Sequence, residues 1–124
     1  MTLTFPWPPS VNHYWIRTKR GMTRSERAKA YLHEAGVALI LQGHSAIASG
    51  VRRGPYYAER LRVRVVAHPP NKIRRDLDNL GKAICDALQH YQLCRDDSQI
   101  DDWHVIRGNV VAGGKLVVTM EAIR

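Results

Sequence analysis

The sequence predicts an α+β fold, in which a mixed sheet of about four strands packs against two main helices in a single small domain. Its 124 residues are a usual length for one domain. Short apolar segments typical of strands occur both before and after two longer segments with helical spacing. Strands and helices are therefore expected to share one core, and we assign residues 1–124 to one domain.

The first part of the chain predicts a strand, an extended segment and a basic loop. Residues 2–5 predict a short strand, and three prolines in residues 6–10 keep the next segment out of helices and central strands. Residues 17–24 predict a basic loop that binds phosphate. The nearby aromatic side chains could stack nucleic-acid bases, but we interpret them as core anchors; they are Trp7, Tyr14 and Trp15.

Two helices and three further strands follow. Apolar residues at helical spacing predict a helix over residues 25–48, and glycines with a proline predict a loop over residues 49–55. The second helix carries an apolar stripe from Leu77 to Tyr91. The remaining segments predict strands over residues 61–67, 100–111 and 115–122, and residues 112–114 predict a hairpin turn between the last two strands.

Charge is unevenly distributed along the chain. The net charge is +8, and residues 1–62 contain ten Lys or Arg but only three Asp or Glu. All seven aspartates fall between Asp76 and Asp102. A basic surface attracts nucleic acid, although many basic proteins are merely soluble. Aspartates repel phosphates unless a metal ion lies between them, so the acidic segment favours a nuclease over a simple DNA-binding protein.

Other classes of protein find little support. The N-terminus lacks the features of a signal peptide and no long apolar segment occurs, so we expect a soluble, cytoplasmic protein without membrane contact. Cys85 and Cys94 are the only cysteines and are predicted to be reduced thiols. His33-Glu34 resembles the start of a zinc-protease motif, but Val37 stands where its second histidine would be.

The strongest local signal is the segment over residues 74–82, which combines arginines, aspartates and a lysine. Asp76 and Asp78 share a side only if the backbone there is extended, so the helix must begin at or after them. Lys82 and Asp86 continue the spacing of Asp78 at four and eight residues, which predicts one exposed helix face with Lys82 beside Asp78.

A second acidic pair, Asp96 and Asp97, follows this helix. The helix is about 20 Å long at 1.5 Å per residue, so Asp97 can join Asp76 and Asp78 only in two ways. Either the connection folds back along the helix, or a second subunit contributes its own loop. The alternative interpretation is structural: an N-cap, a surface ion pair and a polar loop.

Together these residues resemble the RusA-type Holliday junction resolvases, which are small dimeric endonucleases often carried by phages and prophages. The resemblance covers nearly the whole chain. It rests on the order and spacing of the central acidic block, Arg74-Arg75-Asp76-Leu77-Asp78-Asn79-Leu80, Lys82-Ala83, Asp86-Ala87-Leu88, Asp96-Asp97 and Gln99. It also rests on Pro6-Trp7-Pro8-Pro9-Ser10 with Asn12, and on the last two strands with Gly113-Gly114.

The resemblance implies a homodimer that cuts two strands of a four-way DNA junction symmetrically in recombination and repair, in a bacterial or phage setting. Asp76, Asp78 and Asp97 would carry Mg²⁺, with Mn²⁺ as an alternative, and Lys82 would assist at the phosphate. Asp96 would be a supporting acid. The predicted DNA contacts are the basic residues of the loop and of the acidic segment: Arg17, Lys19, Arg20, Arg24, Lys72, Arg74 and Arg75.

Three alternatives remain open at this point. The chain could be a non-catalytic module that binds branched DNA, with its aspartates as caps and ion pairs. It could be a metal-dependent nuclease of other specificity, acting on flaps or plain duplex. A small-molecule phosphohydrolase fits the carboxylates but leaves the basic half of the chain without a role.

Overall fold

The core lies between a four-stranded sheet and the helices that cover one of its faces. The computed structural model describes residues 1–50 and 54–123. Its elements in chain order are β1 (Thr2–Pro6), α1 (Val11–Tyr14), β2 (Trp15–Thr18), β3 (Gly21–Arg24), α2 (Glu26–Leu41), α3 (Ser45–Ser49), β4 (Arg60–His68), α4 (Gly81–His90), β5 (Ile100–Arg107) and β6 (Lys115–Ile123). The α+β class predicted from the sequence is confirmed.

The sheet has the strand order β1-β6-β4-β5. Strand β4 pairs antiparallel with β6 and parallel with β5. Alternate residues of β4, beginning with Leu61 and Val63, are fully buried, because successive side chains of a strand point to opposite faces. Arg62 and Arg64 lie on the other face, where Arg62 is half-buried and Arg64 is exposed. Among the described helices, none has the length and apolarity needed to cross a bilayer.

The predicted hairpin between the last two strands is wrong. Strand β5 ends at Arg107, and β4 lies between β5 and β6 in the sheet. Residues 108–114 carry the chain across the end of β4, where the amide of Gly108 donates to the carbonyl of Ala67 (2.8 Å). Local sequence could not show this, because a turn signal between two strands does not specify which strand each one pairs with.

The first long helix is shorter than the sequence predicted. Helix α2 ends at Leu41, and the separate helix α3 begins at Ser45. Gly43 interrupts the helix with a φ of 88°, which residues with a side chain rarely adopt. The side-chain amide of Gln42 bonds both the N–H and the C=O of Thr4, at 2.7 Å each, and so covers part of the β1 edge.

The predicted basic loop over residues 17–24 is instead a two-stranded hairpin. Strands β2 and β3 pair antiparallel, with Trp15 opposite Arg24 and Thr18 opposite Gly21. Lys19 and Arg20 form its turn. The predicted loop over residues 49–55 falls partly outside the described residues, since positions 51–53 are not among them. Both cysteines are free thiols, as predicted.

Helices α2 and α4 approach closely at Gly36. A Cβ atom at this position would overlap the hydroxyl of Tyr91 and lie 3.2 Å from its ring carbon Cζ. That hydroxyl is fixed, because it donates a hydrogen bond to the carbonyl of Leu32. Glycine at position 36 therefore sets the distance between the two helices.

We expect Gly36→Ala to destabilise the protein by up to about 2 kcal/mol. The overlap costs about 1–3 kcal/mol and outweighs the gain in helix propensity of about 1 kcal/mol. Urea unfolding of the wild type, Gly36→Ala, Tyr91→Phe and the variant with both substitutions measures the effect. With Tyr91→Phe, the hydroxyl is gone and Gly36→Ala should cost less; equal costs in both backgrounds would contradict this explanation.

Candidate active site

Asp76 and Asp78 lie directly before α4. Asp76 is the N-cap of a single 3-10 turn, Leu77–Leu80, and has extended backbone angles (φ −91°, ψ 130°). Its side chain makes no capping hydrogen bond, and Asp78 lies inside the turn. Both residues are exposed, and neither carboxylate makes a hydrogen bond or ion pair with any described residue. The α-helix thus begins after both aspartates, as the sequence required.

Lys82 lies in the first turn of α4 and is exposed. The ion pair with Asp78 considered in the structural interpretation is absent among the described residues. A 3-10 turn has about three residues per turn, so a spacing of four residues does not align two side chains there as it does in an α-helix. The ammonium group of Lys82 is left available for an external anion.

The chain after α4 folds back along the same helix, which is one of the two arrangements that the sequence left open for Asp97. Gln92 has a φ of 55°, and the amide of Leu93 bonds the carbonyl of Leu88 (2.8 Å). The side chain of Gln89 then accepts from the amide of Asp97 (2.9 Å). Asp97 therefore lies beside the last turn of α4, and the cavity that it lines extends along the helix to Lys82.

Asp97 shares a cavity of about 380 Å³ with Lys82, Cys85 and Gln89. These three residues follow one another at spacings of three and four, and so form one face of α4. Burial raises the pKa of the Cys85 thiol to about 12, and the nearby Asp97 adds to the rise. Cys85 therefore lines this cavity as an uncharged thiol and is not a nucleophile.

Asp96 and Asp97 interact with each other. A hydrogen bond from the amide of Ser98 lowers the pKa of Asp96, and the interaction with Asp97 lowers it further. The side chain of Asp96 in turn raises the pKa of Asp97. Two adjacent carboxylates of this kind repel each other when both are ionised, and a nearby cation would relieve that repulsion.

Asp76 lines a different cavity, of about 650 Å³, together with Asn79. The structure thus places Asp76 and Asp97 in two different cavities, one lined by residues just before α4 and the other by residues along one face of α4. Across residues 1–50 and 54–123, no three Asp, Glu, His or Cys side chains are grouped closely enough to hold one metal ion. The fold brings Lys82 and Asp97 together but does not by itself gather all three predicted ligands.

Asp86 does not lie on the exposed face predicted for it; that prediction is wrong. The residue is only 7% exposed. Its carboxylate accepts from the hydroxyl of Tyr14 (2.5 Å) and from Nε and Nη2 of Arg24 (2.8 and 2.7 Å). Helical spacing could not reveal this, because both partners come from 60 or more residues earlier in the chain.

This buried group of Tyr14, Arg24 and Asp86 attaches the β2–β3 hairpin to α4. Burial alone would raise the pKa of Asp86, but the hydrogen bonds from Arg24 and Tyr14 outweigh it and the pKa is lowered. Asp86 is therefore ionised and paired with Arg24. Tyr14 is a core residue, as predicted, and Trp15 packs beside it.

The basic residues proposed from the sequence fall into three groups. Arg17, Lys19 and Arg20 are exposed on the β2–β3 hairpin, and Lys72 and Arg74 are exposed on the segment between β4 and Asp76. Both groups remain available to phosphates. Arg24 and Arg75 instead have protein partners. Arg24 binds Asp86, and Nη1 of Arg75 donates to the carbonyls of Asn71 (3.3 Å) and Ile73 (3.0 Å).

Comparison with known proteins supports the resemblance noted from the sequence. The sequence model of the family Endodeoxyribonuclease RusA matches residues 6–121. The chain belongs to this family. That match includes the whole acidic segment, the fold-back after α4 and both cavities.

Curated RusA relatives match along nearly their full length. The crossover junction endodeoxyribonuclease rusA of Enterobacteria phage 82 is 38% identical over 118 residues, covering 95% of this chain and 91% of the relative. The protein of the same name from Enterobacteria phage HK97 is 36% identical, with 90% and 85% covered. The Escherichia coli (strain K12) protein is 36% identical, with 96% and 92% covered.

Sequence reasoning missed one feature of this RusA-family chain, the cavity between Trp7 and the acidic segment. Trp7 and Asp76 are far apart in sequence but line the same cavity. The guanidinium carbon of Arg75 lies 5.8 Å from the centre of the Trp7 ring. The motif Pro6-Trp7-Pro8-Pro9-Ser10 was the available signal, although nothing in it indicated which part of the chain it would face.

Proposed function

We propose that this chain is a Mg²⁺-dependent endonuclease that cuts four-way DNA junctions by paired symmetric nicks. The observation that carries the proposal is the family match over residues 6–121, together with relatives named as crossover junction endodeoxyribonucleases. The exposed carboxylates of Asp76 and Asp78 and the ammonium group of Lys82, which make no protein contacts among the described residues, fit that activity.

Asp76, Asp78 and Asp97 are the proposed metal ligands, with Mg²⁺ as the ion and Mn²⁺ as an alternative. Their chemistry suits the ion, since Mg²⁺ in proteins is commonly held by one or two carboxylates with substrate phosphates and water. Two exposed aspartates before α4 would be enough to begin such a site, and Asp97 would complete it. When bound, the ion supplies neutralisation of phosphate charge and activation of water. Asp96 is the proposed supporting acid, because its side chain interacts directly with that of Asp97.

Lys82 is the proposed second source of positive charge at the phosphate. Its ammonium group is exposed at the beginning of α4, in the same cavity as Asp97. A fixed cation at the place where negative charge develops stabilises a transition state more than it stabilises the substrate. Lys82 would therefore raise the cleavage rate rather than only the affinity.

The exposed basic residues are the proposed contacts to the DNA backbone. One group is on the hairpin, and the other immediately precedes Asp76. Arg24 and Arg75 act differently in this proposal: Arg24 holds the hairpin in place, and Arg75 shapes the cavity beside Trp7. The phosphate contacts are therefore Arg17, Lys19, Arg20, Lys72 and Arg74.

Paired nicks require two active sites, and one chain has a single acidic set. We therefore propose a symmetric homodimer, because a two-fold axis places equivalent sites on opposite strands of a symmetric substrate. The setting is the cytoplasm of a bacterial cell, where a phage-encoded or chromosomal protein would meet branched DNA during recombination and repair.

The test is cleavage of a synthetic four-way junction with a fixed branch point, compared with a linear duplex of one arm sequence. We expect nicks at symmetric positions on two strands of the junction with Mg²⁺, none with EDTA, and slow cleavage of the duplex. Binding to the junction without cleavage in Mg²⁺ or Mn²⁺ would favour a non-catalytic binding module. Equal rates on junction and duplex would indicate a nuclease of other specificity.

A further inference from the structure

The cavity beside Asp76 combines an aromatic ring and prolines with polar and cationic side chains, a composition that suits a nucleobase with its phosphate. Trp7, Pro8 and Pro9 form one side, and Arg74, Asp76 and Asn79 are among the residues on the other. Its volume of about 650 Å³ lies within the usual range for pockets that enclose small organic groups. A phosphate needs donors alone, whereas an aromatic plane with apolar neighbours suits the flat face of a base.

Trp7 is held in position before any ligand arrives. The carbonyl of Pro6 accepts a hydrogen bond from the buried hydroxyl of Tyr31 (2.8 Å), and the prolines after Trp7 restrict the backbone. On the other side, Gly114 has a φ of 72°, and a Cβ there would lie 2.8 Å from that of Trp7. The backbone of Gly114 therefore lies close to the Cβ and Cγ atoms of Trp7.

Arg75 fixes a cation against the Trp7 ring. Its guanidinium group is anchored by two backbone carbonyls, and its own carbonyl accepts from Nη2 of Arg107 (2.7 Å). An aromatic ring with an arginine beside it is the combination that binds unpaired bases in single-stranded nucleic-acid sites. The anchoring means that little side-chain entropy is lost when a base is bound.

Asn79 gives this cavity the means to distinguish bases. Its side-chain amide offers both donors and an acceptor, and it is exposed at the cavity. Asp76, a proposed metal ligand, borders the same space. A base in the cavity would therefore lie close to the phosphate to be cut.

We propose that this cavity receives one unstacked nucleobase of the junction, stacked on Trp7 with its edge facing Asn79, next to the phosphate that is cleaved. The inference rests on the proposed function and adds to it a site that reads sequence. Unstacking is least costly where a base has already lost its pairing, which favours positions at the branch point. Trp7 is then a specificity residue, and Asn79 selects the base.

The first experiment is photocrosslinking with the Asp78→Asn variant, which is expected to bind the junction without cutting it. Junctions carry one 5-iodouracil at a time at each position around the branch point, and mass spectrometry identifies the crosslinked peptide. We expect crosslinks to Trp7 from a single position, repeated on the two symmetry-related strands. Crosslinks spread evenly over positions, or absent from Trp7 at every position, would overturn the proposal.

The second experiment is a double-mutant cycle that combines a substitution of Trp7 with the removal of one base from the junction. We expect Trp7→Ala to weaken binding of the intact junction about tenfold, which is about 1.4 kcal/mol, and to have no effect on a junction abasic at the crosslinked position. Equal losses on the two junctions would overturn the proposal, because they would show that Trp7 acts only through packing. Trp7→Phe, which retains a core-packing ring, should lose less affinity than Trp7→Ala and covers the case in which the alanine variant fails to fold.

The matched control is Tyr56→Ala, which removes an exposed aromatic ring near the C-terminal end of α4, where the amide of Tyr56 bonds the carbonyl of Gln92 (2.7 Å). It should bind both junctions like the wild type. Crosslinking and binding can be measured without cleavage, so this proposal can be tested separately from the proposed nuclease activity. Absence of Mg²⁺-dependent cleavage by the wild-type protein would contradict the nuclease, whereas cleavage without coupling between Trp7 and the base would contradict only this site.

Discussion

We expect Asp78→Asn to reduce the rate of junction cleavage at least about a hundredfold, the order of effect seen when a group acting at the reacting centre is removed. Asparagine keeps the shape of the side chain but loses the charge that a divalent cation requires. Junction binding should stay within about twofold or become tighter, because a negative charge near the phosphates disappears. Single-turnover cleavage and gel-shift titration measure the two effects separately.

The matched control for this prediction is Asp101→Asn. Asp101 is an exposed aspartate as well, but its carboxylate is paired with Arg60 on the sheet, so cleavage should not change. Partial recovery of Asp78→Asn at high Mg²⁺ or with Mn²⁺ would support a ligand role. A variant that cuts at the wild-type rate would show that Asp78 is not part of the active site.

The second large effect is expected at Asp86. Removing one partner of a buried ion pair costs about 3–5 kcal/mol, and we expect Asp86→Ala to fall at the lower end because the Arg24 side chain remains 34% exposed. The variant leaves the guanidinium group and the Tyr14 hydroxyl without their acceptor, and the β2–β3 hairpin loses its attachment to α4. Urea denaturation gives the change in the free energy of unfolding.

Asp101→Ala is the comparison for stability, since it also breaks an Arg–Asp pair, but one whose side chains are 54% and 43% exposed. It should cost much less than Asp86→Ala, because water screens an exposed ion pair. The contribution of Asp86 to the free energy of unfolding depends on pH with a definite sign. Because the folded-state pKa of Asp86 is lowered, its contribution is complete above the ordinary aspartate pKa of about 3.9. It is lost as the pH falls through the lowered value. Equal losses at positions 86 and 101 would contradict the buried-pair explanation.

The sequence predicted those parts of the fold that depend on local pattern. The alternation around Val63 and Val65 and the apolar stripe from Leu77 identified β4 and α4, because burial of one face imposes its period on the sequence. The parallel pairing of β5 with β4 could not be predicted in this way. A strand's period shows which face is buried and says nothing about which strand lies beside it.

The same distinction applies to the candidate site. Asp76, Asp78 and Lys82 are close in sequence, so their exposure and their position at or just before the start of α4 could be argued from spacing. The burial of Asp86 depends on Arg24, and the cavity at Asp76 depends on Trp7. Arg24 is brought near Asp86 by the packing of α1 and the hairpin against α4, and Trp7 is brought near Asp76 by tertiary contacts that include Arg75.

The reversal of the chain after α4 determines how the three proposed metal ligands are spaced. Asp76 and Asp78 precede α4, and Asp97 is bonded to Gln89 near the end of the same helix. The length and rotation of α4 therefore set the distance between the first two aspartates and Asp97. Inserting one residue would turn the far segment by about 100° around the axis and move it about 1.5 Å. Substitutions in the hairpin or on the exposed face of the sheet would leave that spacing unchanged, so they would alter contacts to DNA without altering the distance between the proposed metal ligands.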